Sequence, residues 1–205
     1  IFAKSGAGKS VTMKTLIARS AVLMGIQSLA LDAEGEYSIV AESLGGINVV
    51  ISPTSKTVIN LFDIEPENIK DEITGRIRSV LNVESKVEDV TQALLTMARC
   101  STRSKEVNEL TKQIISEAVS EEYAALHITS DPLSLYDSSV INYGDMLGKK
   151  KKNMPTIGSW YKRILAKAKE NTNVDYQFHY SYLIKVMKQY VREYNGQMAY
   201  FDGQS

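Results

Sequence analysis

Near the start of the chain, Ser5, Gly6, Ala7, Gly8, Lys9, Ser10 and Val11 have the types and order needed to hold a phosphate group. The small residues let successive backbone N–H groups turn inward onto phosphate oxygens, and a helix beginning near Lys9 adds the positive end of its dipole. In this pattern the Lys9 ammonium reaches the β- and γ-phosphates, and the Ser10 hydroxyl ligates Mg²⁺. The pattern is a Walker A loop with one departure: Ala3 stands where the first glycine belongs. Nucleotide-phosphate binding is the reading this stretch supports.

A second group of chemically capable residues follows in Asp32, Glu34 and Glu36. Carboxylates at the mouth of a strand beside a phosphate loop can contact Mg²⁺-bound water, and Glu36 is the preferred candidate for a catalytic role alongside Lys9. The plain alternative is a solvated turn before a helix, where acidic residues are favourable. Cys100 is the single cysteine, which excludes an internal disulfide and suits a reducing compartment. It reads as a small buried helix residue, because neither His127 nor His179 lies in a partner motif for a nucleophile.

The elements that must position these groups follow from periodicity. Val11 to Met24 has amphipathic helix spacing with Met13, Leu16, Ile17, Ala21 and Met24 near one face, and Gly25 ends it. Ser28 to Asp32 and Ile47 to Ile51 are short apolar runs of the kind that form parallel strands buried on both faces, with a helical stretch through Ala41 to Leu44 between them. Thr57 to Phe62 is a further short extended piece. Strand, helix, strand, helix, strand in this order predicts a right-handed doubly wound α/β sheet with the phosphate loop at the strand carboxyl ends.

From Pro66 the period changes to three and four. Helices are expected over Glu67 to Leu81, Val87 to Arg103, Glu106 to Tyr123, Ile157 to Lys169 and Tyr176 to Tyr194, and 199–205 looks extended again. The expected division is a nucleotide-binding part at 1–65, an all-α insertion at 66–197 and a return strand at 198–205.

The 205 residues are 43% hydrophobic, ample for a core, and carry 24 basic against 24 acidic side chains. No global field therefore draws the chain to nucleic acid or membrane. Locally, Lys149, Lys150, Lys151, Lys152, Lys162, Arg163, Lys167 and Lys169 face only Glu170, whereas 32–72 is rich in acid. That asymmetry suits subunit docking, with DNA contact as the lesser use. No apolar run approaches membrane-spanning length, and the chain starts without Met inside an expected strand, as a piece of a longer protein would.

Taken together, the phosphate loop, Leu31-Asp32-Ala33-Glu34-Gly35-Glu36-Tyr37, Leu44-Gly45-Gly46, Ile59-Asn60-Leu61-Phe62-Asp63, Met154-Pro155-Thr156 and Phe201-Asp202-Gly203-Gln204 resemble the large conjugative-transfer ATPase of type IV secretion systems. The likeness runs over essentially the whole chain, departing at Ala3 and at Leu61, where the family usually has Pro. It implies a partial RecA-like P-loop NTPase sheet with a large all-α insertion, ATP and Mg²⁺ as cofactors, and assembly as a hexamer. It further implies other secretion components as partners at the inner face of the cell membrane, and a cytoplasmic, membrane-peripheral location. Such motors also need a Walker B acid and a neighbour's arginine, and this chain offers neither in credible form, so alone it is expected to bind nucleotide without turning it over. Two other readings fit the phosphate loop: a small-molecule kinase, which needs an arginine-bearing lid, and a non-catalytic helical interaction module.

Overall fold

The computed structural model describes residues 8–52, 58–70, 75–101 and 108–204. The chain forms two compact units, Ile1–Val50 and Ile51–Ser205.

The first unit holds α1 (Lys9–Met24) and α2 (Ser38–Ser43). Both helices stop at glycines in the left-handed region, Gly25 at φ 65° and Gly45 at φ 72°, where a side chain would be strained. The apolar runs 28–32 and 47–51 depart from expectation: they form no strand, and Leu29, Leu31 and Ile47 are 96%, 98% and 89% exposed. A parallel strand is held by ladder partners and by helices over both faces, and the described residues of this unit supply neither for these runs. Hydrophobic sequence alone does not close a ladder.

The second unit opens with a hairpin of β1 (Glu67–Lys70) and β2 (Ile77–Val80), paired antiparallel with Ile69 opposite Arg78 and Lys70 opposite Ile77. This corrects the helix expected over Glu67 to Leu81 and shows that the block after Pro66 is not all helix. The three-and-four spacing of Ile69, Ile77 and Val80 is also compatible with two short alternating segments. Gly75, at φ 66°, takes a left-handed conformation that no helix interior accommodates.

Four helices make the core: α3 (Val83–Ser101), α4 (Glu109–Ala125), α5 (Ile157–Glu170) and α6 (Val174–Met187). Their starts and buried stripes are written locally. Asn108 caps α4 by accepting the Thr111 N–H at 3.1 Å, and Thr156 caps α5 by accepting the Ser159 N–H at 3.2 Å. On α5, Ile157, Trp160, Tyr161 and Ile164 recur at helical spacing and are buried. They meet Leu94 and Leu95 of α3, Ile114 and Ile115 of α4, and Leu183 and Met187 of α6 in one cluster. The long final helix expected to Tyr194 ends instead at Met187 and continues as 3-10 turns at Lys188–Tyr190 and Arg192–Tyr194.

Three segments distant in sequence converge beside the start of α5. The Asn60 side chain donates to the Pro155 carbonyl at 2.8 Å and accepts the Phe62 N–H at 3.1 Å. Gln204 donates to the Met154 carbonyl at 2.7 Å. Asp202, buried, accepts the Gly158 N–H and the Arg192 N–H, both at 2.7 Å. An added Cβ at Gly158 would lie 3.1 Å from the Asp202 carboxylate, a tight approach that would press on this bond. Ala199–Phe201 is a 3-10 turn, not the extended piece expected there.

The Tyr123 hydroxyl ties α4 to this same place, donating to the buried Phe62 carbonyl at 2.7 Å. Burial, reinforced by the nearby Asp63 charge, pushes the phenol well above its ordinary pKa. Tyr123→Phe should cost about 1–2 kcal/mol by stranding that carbonyl, measured as a lower urea midpoint with an unchanged slope. An unchanged midpoint would mean that water replaces the hydroxyl.

Candidate functional site

The described part of the phosphate loop begins at Gly8; Ser5, Gly6 and Ala7 lie outside the described residues. Gly8 occupies the N-cap of α1 at φ 77°, ψ 15°, a left-handed conformation that bends the chain into the helix. Gly8 has no side chain to cap this end, the first turn carries no acid, and no described residue stands within 4 Å of where a Gly8 Cβ would lie. Helix α1 begins with Lys9 exposed, Ser10 half-buried and Val11 exposed. A phosphate fits such an end, since it accepts N–H groups that are otherwise unmet and is favoured by the dipole. Thr12 closes the first turn, its hydroxyl and its N–H both donating to the Gly8 carbonyl at 3.1 and 3.0 Å.

The structure separates the three candidate acids. The Asp32 carboxylate accepts the Tyr37 N–H at 2.7 Å and the Glu34 N–H at 3.2 Å. These backbone bonds, Tyr37 first, hold its pKa below the usual carboxylate value. Asp32 therefore shapes the 32–37 turn. Glu34 is exposed. Glu36 pairs with Lys14 of α1, Oε2 to Nζ at 3.7 Å, and the same ammonium lies 5.7 Å from the centroid of the Tyr37 ring. Lys14 and Tyr37 are the contacts of Glu36 and its turn that sequence reasoning passed over. The available signal was that Lys14 lies four residues after Ser10, one helical turn along the same face.

Elsewhere the structure reduces the expected candidates. Cys100 is exposed rather than buried. The basic stretch 149–170 is largely used up within its own unit. Lys151 bonds both Glu65 oxygens at 2.6 Å, and Lys152 donates to the Leu126 and Ser134 carbonyls at 3.0 and 2.9 Å. Lys162 pairs with Glu193, Arg163 with Glu122 and Glu121, and Lys167 with Glu121. The charge asymmetry read along the sequence is in good part compensated in space. The tyrosines of α6 and beyond serve packing: Tyr180, Tyr182 and Tyr190 are buried, and the Tyr190 hydroxyl bonds the Met97 carbonyl at 3.2 Å. No helix of the described residues is long and apolar enough to cross a membrane.

A helix entered through a left-handed glycine, with Lys and Ser at its first two positions, has the pattern of P-loop proteins. Comparison with known families decides the family, because residues 1–197 match the one described as helicase HerA, central domain. The chain belongs to the HerA central-domain family. Among solved structures, VirB4 of Thermoanaerobacter pseudethanolicus is similar with a TM-score of 0.61 at 24% identity, over 98% of this chain and 44% of that one. That likeness is one of fold, and it supports a P-loop NTPase architecture for this HerA-family chain. The chain spans less than half the length of that VirB4 chain. A search of curated proteins returns no match.

Proposed function

We propose that this HerA-family chain is the nucleotide-binding part of a motor ATPase that couples ATP hydrolysis to transfer of DNA or protein through a type IV secretion or conjugation apparatus. The observation that carries the proposal is the start of α1, with Gly8 at its N-cap in the left-handed region and Lys9 and Ser10 in the first turn. Gly6, Ala7, Gly8 and Val11 supply backbone N–H groups, Ser5 completes the loop, Lys9 contacts the β- and γ-phosphates, and Ser10 holds Mg²⁺. Glu36 is the acid assigned to that metal side. Assembly into a hexamer at the cytoplasmic face of the membrane, beside other secretion components, belongs to the same reading and draws on the fold likeness to VirB4.

The cationic stretch gives DNA contact little support, since Lys151, Lys152, Lys162, Arg163 and Lys167 already have partners. Binding phosphates of a nucleic acid would require those pairs to open.

Titration of the 205-residue chain with ATP should show saturable binding, and a phosphate-release assay on the same sample should show turnover at background. Binding needs only α1 and its loop. Turnover needs in addition a positioned water, a second acid and an arginine, each commonly worth about two orders of magnitude or more in rate. Absence of saturable ATP binding would end the nucleotide reading. Turnover of about one per second that vanishes with Lys9→Ala would mean that Asp32, Glu34 or Glu36 serves as the acid.

A further inference from the structure

We propose that Lys14 is a positioning residue for Glu36, holding its carboxylate beside the first turn of α1 so that it accepts a hydrogen bond from a water of nucleotide-bound Mg²⁺. The inference rests on the nucleotide reading above and adds to it a counter-ion and an anchor that the phosphate-loop pattern does not contain.

Three contacts carry it. The Lys14 ammonium lies 3.7 Å from Glu36 Oε2, with the two side chains 32% and 40% exposed, so the pair is partly sheltered. The same ammonium sits 5.7 Å from the Tyr37 ring centroid, a cation–π distance. The segment bearing Glu36 and Tyr37 is itself fixed, because Asp32 accepts the N–H of Tyr37 at 2.7 Å and of Glu34 at 3.2 Å. Lys14 thus grips two adjacent residues of a turn that a third residue has already shaped.

Helix direction converts these contacts into a location. Side chains on a helix lean toward its N-terminus and cover the turn before their own Cα. The Lys14 Cα lies about 6 Å along the axis from that of Ser10, an interval that a lysine side chain is long enough to span. Leaning in that direction, it would bring Glu36 toward the end of α1 at which Ser10 would hold the metal.

Charge explains why a lysine is needed there. A carboxylate near a triphosphate repels it, and the repulsion is costly in a partly sheltered site. Paired with Lys14, Glu36 presents little net charge to the nucleotide, yet its free oxygen lone pairs remain available to metal-bound water. Mg²⁺ holds several of its waters when bound through phosphates, and such waters are strong donors. Lys14 therefore has two separable effects: it offsets repulsion when Mg²⁺ is absent, and it aims the acceptor when Mg²⁺ is present.

The test is the ratio of ATP dissociation constants measured in EDTA and in Mg²⁺ on the 205-residue chain. Glu36→Gln should lower that ratio about tenfold, the scale of one hydrogen bond to a charged group. Lys14→Met keeps the stem and removes the charge; it should weaken binding in EDTA and weaken it about threefold more in Mg²⁺, so that the ratio falls about threefold, in line with a partly exposed ion pair. The double variant should match Glu36→Gln alone, because Lys14 acts through Glu36, and Lys14→Arg should restore most of the ratio. Additive effects in the double variant, or equal losses with and without Mg²⁺, would overturn the positioning role while leaving nucleotide binding in place. A wild-type chain that binds ATP under neither condition would overturn the nucleotide reading and this proposal with it.

Discussion

Asp202→Ala should lower the stability of the 51–205 unit by about 2–5 kcal/mol, because it strands two backbone donors at once. The Gly158 N–H lies in the first turn of α5 and the Arg192 N–H follows α6, and each loses its 2.7 Å acceptor. Each buried unsatisfied donor costs about 1–3 kcal/mol, and the helix also loses a negative charge at its positive end. The carboxylate is 6% exposed, which leaves little room for solvent to take over. Asp202→Asn keeps one acceptor oxygen and should cost about half as much. Urea unfolding followed by helical circular dichroism gives both values. A loss under about 1 kcal/mol for the alanine variant would mean that ordered water occupies the place of the carboxylate and that the junction at α5 tolerates it.

Lys9→Ala should weaken ATP binding by about ten- to a hundredfold, the equivalent of roughly 1.5–3 kcal/mol for a charge-assisted contact to phosphate. Lys9 is exposed, and its side chain bonds no other described residue. The variant should therefore unfold at the same urea concentration as the wild type, which separates lost binding from lost structure. Equal ATP affinities for the two proteins would show that the ammonium does not reach the phosphates, and the assignment of Lys9 would fall. The two substitutions are also informative as a pair. Asp202 lies in one compact unit and Lys9 in the other, and the expected pattern is a stability change without a defect specific to the phosphate loop in the first case and the reverse in the second.

The helix at the candidate site was legible because its signals are local. Gly8-Lys9-Ser10 followed by an amphipathic stretch specifies a glycine-started helix within a few residues, and α1 runs from Lys9 to Met24 with Gly25 at its end, as the pattern demands. The helix starts at Asn108 and Thr156 are likewise written within four residues of each cap. The Glu36 partner was not legible in the same way. Lys14 and Glu36 lie on different elements, and their meeting depends on the turn that Asp32 closes. The hairpin at 67–80 was misread because its apolar spacing satisfies two periods, and the glycine that decides between them was given too little weight.

By itself the sequence determined the glycine-bounded first helix, the family signature and the existence of four core helices, since each is encoded by neighbours at one to four residues' separation. Only the tertiary structure decided what the polar residues of the other motifs are for. Asn60, Asp202 and Gln204 carry no local signal for their tasks, yet they meet Pro155, Gly158 and Met154 across 95, 44 and 50 residues of chain. The same holds for charge: the basic stretch 149–170 reads as an open cationic surface along the chain, and packing sets Glu65, Glu121, Glu122 and Glu193 against it. The physical reason is range. Helix caps and phosphate loops are satisfied by backbone groups a few residues away, whereas a buried carboxylate or amide must be satisfied by whatever the fold brings to it.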